Sequence, residues 1–269
     1  MKRIVLGVQY DGTPWLGYQT QPHGTTVQDN LEAALQRFTL QSVHTTCAGR
    51  TDAGVHALEQ VVHFDIDLDR QPFSWVRGTN AYLPPSIAVR WAAEVVPDVG
   101  SDGLRQEFHS RFSATARTYH YVLYNSAIHS PLMRNRTGWV FRLLDVDLMQ
   151  QGANHLLGTH DFTAFRAAHC QAKTPVKLMH EITVTRRGDM ILFTLRASAF
   201  LHHMVRNIVG SLICVGNGNN PPEWMAEILT GKDRSKAAPT FMPVGLYLAK
   251  ITYDPKWGLP QQASVLPWL

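Results

Sequence analysis

Cys47-Ala48-Gly49-Arg50-Thr51-Asp52-Ala53-Gly54-Val55-His56 is a polar stretch set between two extended runs. Before it, residues 41–46 read as a strand. After it, Gln60-Val61-Val62-His63-Phe64-Asp65-Ile66 alternates like another. Two glycines bracket an Arg and an Asp that sit two residues apart, and a glycine-punctuated polar segment between strands is a loop. Such a loop presents one carboxylate and one guanidinium. Two readings follow from the spacing: an ordinary connection with a local Arg–Asp pair, or a loop that offers both groups to a cleft.

Working outward, residues 2–10 read as a strand closed by the turn Asp11-Gly12-Thr13-Pro14. Thr26 with Asp29 forms a capping pair, and Val27, Leu31, Leu35 and Phe38 fall on one helical face. Residues 75–83 begin as a short helix that Pro84-Pro85 stops, and 87–96 form a strand. Pro97-Asp98-Val99-Gly100-Ser101-Asp102-Gly103 is polar and rich in turn formers, the best linker in the chain.

Beyond it the pattern restarts. Residues 118–124 are a strand, and 147–157 a helix with Met149, Ala153, Leu156 and Leu157 inward. Residues 177–186 and 190–197 pair as a hairpin through Arg187-Gly188-Asp189. Residues 201–215 form a strongly apolar helix, Pro221-Pro222 opens a short one, and 245–253 give a last strand. Strand–helix–strand–strand order in both halves predicts an α+β fold of two ferredoxin-like α/β lobes with mostly antiparallel sheets, spanning 1–105 and 106–269.

A chain of 269 residues with 45% hydrophobic and 17% charged residues belongs to the soluble globular class. No apolar run approaches the ~20 residues that span a bilayer, and the first residues are too short for a signal-peptide core. The expected address is the cytoplasm. Cys47, Cys170 and Cys214 lack any CxxC spacing, which argues against a disulfide framework or a cysteine zinc site. Thirteen histidines include only one adjacent pair, His202-His203, and no metal site is expected. The charge is unevenly placed. Residues 1–110 carry 8 Lys/Arg against 12 Asp/Glu, a net of −4, whereas 111–269 carry 17 against 9, a net of +8. A basic C-terminal half suits a polyanion.

Asp52 is the leading candidate for chemistry, because a carboxylate serves as nucleophile or base at an anomeric carbon. Glycosidases use two such groups, and neither Glu59 nor Asp65 is spaced to pair with Asp52. Arg50 suits a phosphate or base contact. Arg111-Phe112-Ser113-Ala114-Thr115-Ala116-Arg117-Thr118-Tyr119-His120-Tyr121 mixes base-stacking aromatics with cations; Tyr119 and Tyr121 share one strand face, and Tyr121 reads as core. The apolar helix carries a polar stripe at His203, Arg206, Asn207 and Gly210. Arg206 either reaches solvent from that stripe or, partly buried, needs a carboxylate nearby, for which Asp52 is the candidate.

The wording of the central loop, Gly49-Arg50-Thr51-Asp52-Ala53-Gly54-Val55-His56, resembles the signature of the tRNA pseudouridine synthase A family. The resemblance runs nearly the whole chain. Tyr10-Asp11-Gly12 with Gly17-Tyr18-Gln19 looks like the family's opening loop, and Asn80-Ala81-Tyr82-Leu83-Pro84 like its Asn-x-x-Leu-Pro segment. Phe112 to Tyr119, Asp161-Phe162-Thr163-Ala164-Phe165, the run from Phe200 to Gly210, and Gly245-Leu246-Tyr247-Leu248 follow in family order.

The resemblance implies that Asp52 is the catalytic aspartate, Tyr119 the active-site tyrosine lying against the target base, and Arg206 the arginine that pairs with the aspartate. It makes Arg50 the arginine associated with base extrusion. It further implies a cleft between joined lobes, no metal or organic cofactor, a homodimer in which each tRNA touches both subunits, and uridines 38, 39 and 40 of the anticodon arm as targets. A rival of another class is a non-catalytic RNA-binding or tRNA-folding protein on the same fold; a third reading is a base-excising glycosidase. The chain departs from the family pattern at Tyr18, where tryptophan is usual, at Glu59, where glycine is usual, and at Ser86, where aspartate is common. Glu59 is expected to add negative charge near the site.

Overall fold

The computed structural model describes residues 1–99, 105–261 and 266. Packing divides the chain into two compact units, Met1–Thr115 with Leu248–Leu269 and Ala116–Tyr247. The chain runs through β1 (Lys2–Tyr10), α1 (Val27–Thr39), β2 (Thr46–Cys47), β3 (His56–Ile66), α2 (Pro72–Asn80), β4 (Ile87–Val95), β5 (Asp98–Val99) and β6 (Arg105–Gln106). It continues through β7 (Ala114–Asn125), β8 (Gly138–Val140), α3 (Val146–Asn154), β9 (Gly158–Asp161), β10 (Val176–Arg187) and β11 (Met190–Ala197), then α4 (Met204–Gly216), α5 (Trp224–Gly231) and β12 (Leu246–Tyr253).

In the first unit the strand order is β4-β1-β3-β12, with β2 added to β3. Strands β3 and β4 flank β1 antiparallel, so that Leu6 lies opposite Val62 on one side and Ala92 on the other. One face of this sheet is covered by the two helices: the ring of Trp75 meets Phe64 and Phe38 edge-on, both at 5.5 Å. Thr26 and Asp29 complete the expected capping box of α1. The opposite face is covered too. Phe108 packs against Tyr253 and Trp257, and Arg3 secures the segment by donating to the Phe108 carbonyl oxygen (2.6 Å) and to Asp65 (2.6 and 2.7 Å).

The second unit has strand order β7-β11-β10-β9, antiparallel throughout, with β8 added parallel to β7. Its core includes Phe162, Phe165, Phe193, Leu195, Ile208 and Leu212, all buried. Gln150 ties α3 to the sheet by accepting from the Val184 N–H (2.8 Å) and donating to the Ile182 carbonyl oxygen (3.2 Å). Both units are therefore mixed helix and sheet with mostly antiparallel pairing, as expected. No helix among the described residues is long and apolar enough to cross a membrane.

Three local expectations need correction. Residues 42–45 are not a strand; only Thr46–Cys47 pairs. The backbone groups of Thr45 are taken by α1 side chains instead, its N–H by Glu32 (2.7 Å) and its carbonyl by Gln28 (3.0 Å), which leaves nothing for a sheet partner. The third helix ends at Asn154, so Leu157 lies beyond it and is exposed, while Met149, Ala153 and Leu156 are buried as expected. The apolar helix starts at Met204 rather than 201, because His203 has φ 62°, a left-handed conformation that cannot extend a right-handed helix. Of the linker, residues 98–99 pair with 105–106 as β5 and β6, and 100–103 lie outside the described residues.

Candidate active site

The loop between β2 and β3 is secured at nearly every residue on either side of Asp52. Its root, Thr46, accepts a hydrogen bond from Ser110 Oγ (2.7 Å). The Ala48 N–H donates to Val61 (2.8 Å). Gly49 is gripped by the amide of Gln60, which donates to its carbonyl and accepts from its N–H. Thr51 receives the Tyr18 N–H on its carbonyl (3.1 Å), and its hydroxyl bonds the Tyr10 phenol (2.8 Å). The Val55 N–H then closes a turn on the Asp52 carbonyl (3.1 Å).

Beneath this loop runs Gly17, with φ 93° and so little room that a β-carbon would stand 3.0 Å from the Thr51 carbonyl oxygen. Only glycine accepts both conditions. The opening loop is thus the floor on which the Asp52 loop rests. Asp52 itself is half-buried and Arg50 is exposed, two residues apart on this braced loop. Their surroundings are basic. Burial pushes the Cys47 thiol up to about 11, and the charges of Arg50 and Arg111 pull against that rise.

Glu59 sits elsewhere. Its carboxylate accepts from Trp91 Nε1 (3.1 Å), and burial raises its pKa, with Trp91 and Lys250 pulling it back. The side chain is spent on packing within the first unit's sheet. The Tyr18 ring is fully buried beside Tyr10 (6.1 Å), and burial raises its phenol well above the ordinary value. Ser86 contributes its backbone, accepting the Asp11 N–H (2.9 Å). Asn80 clasps Val89 by both backbone groups, each at 2.8 Å, which aligns α2 with β4.

In the second unit, Tyr119 lies on β7 opposite Leu195 of β11, buried, its ring nearly perpendicular to that of Phe200 with the centres 5.0 Å apart. Tyr121, two residues on, is core: its hydroxyl donates to the Met242 carbonyl (3.0 Å), and burial raises its pKa against the pull of the Arg206 charge. Arg206 is half-buried near the start of α4, its Nε donating to the Phe241 carbonyl oxygen (2.8 Å), while the Phe241 N–H returns to the Arg206 carbonyl (3.3 Å).

The polar stripe on α4 proves to be an inner surface. Residues 234–241 lie along it, and the Pro239 carbonyl oxygen would stand 2.7 Å from a β-carbon at Gly210. Asn207 is fully buried; its Oδ1 accepts from Arg234 (3.0 Å) and Thr240 (2.7 Å), and its Nδ2 donates to Phe165 (2.8 Å). A buried amide bonded through both its oxygen and its nitrogen is a rigid joint. Through it, the strap that receives Arg206 is tied to the helix that carries it.

Arg50 and Asp52 therefore lie on one loop of the first unit, and Tyr119 and Arg206 in the second. Gln60, Ser110 and Arg234, which brace those residues, were not singled out in the sequence, whereas Asn207 stood on the polar stripe. One signal existed for Gln60, the lone amide of its strand; Ser110 and Arg234 carried none.

Comparison with known proteins gives a consistent picture. The family described as tRNA pseudouridine synthase matches residues 7–101 and 153–254. A protein of Herminiimonas arsenicoxydans called tRNA pseudouridine synthase A is 65% identical over 260 residues, covering 97% of this chain and 93% of that one. A protein of the same name from Janthinobacterium sp. (strain Marseille) is 66% identical over 260 residues, with 97% and 95% covered. Another, from Paraburkholderia phytofirmans (strain DSM 17436 / LMG 22146 / PsJN), is 56% identical over 269 residues, with 100% and 96% covered.

Proposed function

The chain belongs to the tRNA pseudouridine synthase family, and from that premise we propose that it isomerises uridine to pseudouridine at positions 38, 39 and 40 of the tRNA anticodon arm. The observation that carries the reading is the braced loop with a single half-buried carboxylate, Asp52, in a basic setting. A carboxylate whose backbone is held at both sides is oriented before substrate arrives, which is where catalytic advantage is gained.

In the proposed reaction the target uridine leaves its stack, because C1′ is shielded within it; extrusion costs a few kcal/mol. Arg50, exposed beside Asp52, occupies or stabilises the place the base vacates. Asp52 assists cleavage of the N1–C1′ bond, either by forming an adduct with the sugar as nucleophile or by removing a ribose proton. Tyr119 lies against the freed uracil, which rotates so that C5 joins C1′. The C5 hydrogen leaves as a proton and N1 takes one up, so the sum is an isomerisation with no cofactor. Arg206 pairs with Asp52 and holds it ionised.

We further propose a cytoplasmic homodimer in which each tRNA touches both subunits. In functional terms, segment 1–105 presents Asp52, and segment 106–269 supplies most of the charge for the polyanion. The rival, a non-catalytic tRNA-folding protein, needs no such carboxylate. Incubation with tRNA carrying C5-tritiated uridine separates the readings. Tritium in solvent without free uracil is expected; free uracil would mark a glycosidase, and no release would leave only a binder.

A further inference from the structure

Next to the Asp52 loop, on the same unit, stands an aromatic ring that the reaction does not use. Phe112 is 75% exposed, so most of its ring is open to solvent. It is not a loose residue. One side of its ring lies against the imidazole of His109 at 4.3 Å, with the planes 35° apart. His109 Nδ1 accepts the N–H groups of both Arg111 (3.1 Å) and Phe112 (3.3 Å), so the imidazole is oriented by the backbone it supports. Ser113 closes the turn on itself: its hydroxyl receives the His109 N–H (2.9 Å) and its N–H donates to the His109 carbonyl (2.8 Å).

The turn is also anchored. Ser110, fully buried, donates its hydroxyl to Thr46 at the root of the Asp52 loop (2.7 Å) and its N–H to His63 Nδ1 (3.2 Å). Whatever Phe112 touches is therefore held at a set place relative to that loop. The setting is cationic: the Arg111 guanidinium lies 5.6 Å from the Phe112 ring centre, and the charges of Arg111 and Arg50 both reach Cys47.

We propose that Phe112 is a stacking platform for an unpaired nucleotide of the RNA substrate, with the Arg111 charge favouring the adjoining phosphate. The proposal rests on the tRNA reading and adds a contact to it. A fixed exposed ring beside a cation is what single-stranded nucleic acid uses: base stacking is sequence-tolerant, and positive charge tracks the backbone. An apolar protein partner would fit less well, since the ring stands beside a cation rather than within an apolar patch.

The test compares tRNA affinity of Phe112→Leu, which keeps apolar bulk and removes the ring, with Phe112→Trp, which enlarges it. Stacking of one base predicts about a tenfold weaker dissociation constant for the Leu variant, with the single-turnover rate at saturating tRNA within about threefold of wild type. The Trp variant retains affinity, and its added fluorescence is quenched by a synthetic anticodon stem-loop RNA. Unchanged affinity in the Leu variant, or an unquenched Trp, would overturn the proposal. So would weakened affinity accompanied by a change of mass in light scattering, which would place the ring between copies of the chain. Wild-type turnover in the same preparation judges the enzymatic reading separately, because the affinity comparison does not need it.

Discussion

Asp52 is a flexible kind of side chain on an inflexible piece of backbone. Gln60 on Gly49, Tyr10 and Tyr18 on Thr51, and Val55 on Asp52 itself remove the freedom a polar loop would otherwise have. Arg206 has the same character in the second unit, its Nε held by the Phe241 carbonyl oxygen. If its guanidinium serves the Asp52 carboxylate, shape matters as much as charge. Arg206→Met is expected to lower single-turnover pseudouridine formation at least about a hundredfold, the usual loss for one electrostatic donor. Arg206→Lys should recover only part of it, because an ammonium cannot make a two-pronged contact from a position already tied to Phe241. Turnover of the Met variant within about threefold of wild type would remove Arg206 from the chemistry.

Elements were more legible than their joints. β1, the α1 capping box and the hairpin of β10 and β11 were written in period and turn residues, because local propensity and burial agree there. The strand expected over 41–46 failed where Glu32 and Gln28 took the backbone of Thr45, a competition between side chain and sheet that alternation cannot reveal. The stripe on α4 showed which residues share a face, but not that a strap some thirty residues later would cover it. The contacts of the Asp52 loop were equally hidden, since Ser110 lies far along the chain from Thr46.

That joint carries a pH signature. Burial, with help from the charges of His109 and Arg3, lowers the His63 pKa from 6.5 to about 4. Below pH 6.5 the unfolded chain binds this proton while the folded one does not, so stability falls as pH drops from about 6.5 toward about 4. His109, also depressed by burial first, adds to the same slope. In urea titrations, His63→Gln should lose less stability between those limits than wild type, since its neutral amide can still receive the Ser110 N–H. Equal slopes would mean that His63 is not the titrating group.

At the scale of the whole molecule, two properties are carried by different features. Affinity for a polyanion comes from many charges, and residues 111–269 hold 17 Lys/Arg against 9 Asp/Glu. Chemistry, in this account, comes from one carboxylate. A change that removes the carboxylate and leaves its shape therefore separates them. The most direct measurement is tRNA binding and C5-tritium release by Asp52→Asn, side by side with wild type at the same salt concentration. A dissociation constant within a few-fold of wild type and no tritium released above background are expected. Substantial release by the variant would contradict the catalytic role of Asp52, whatever the binding shows, because a protein that turns over without Asp52 does its chemistry with some other group.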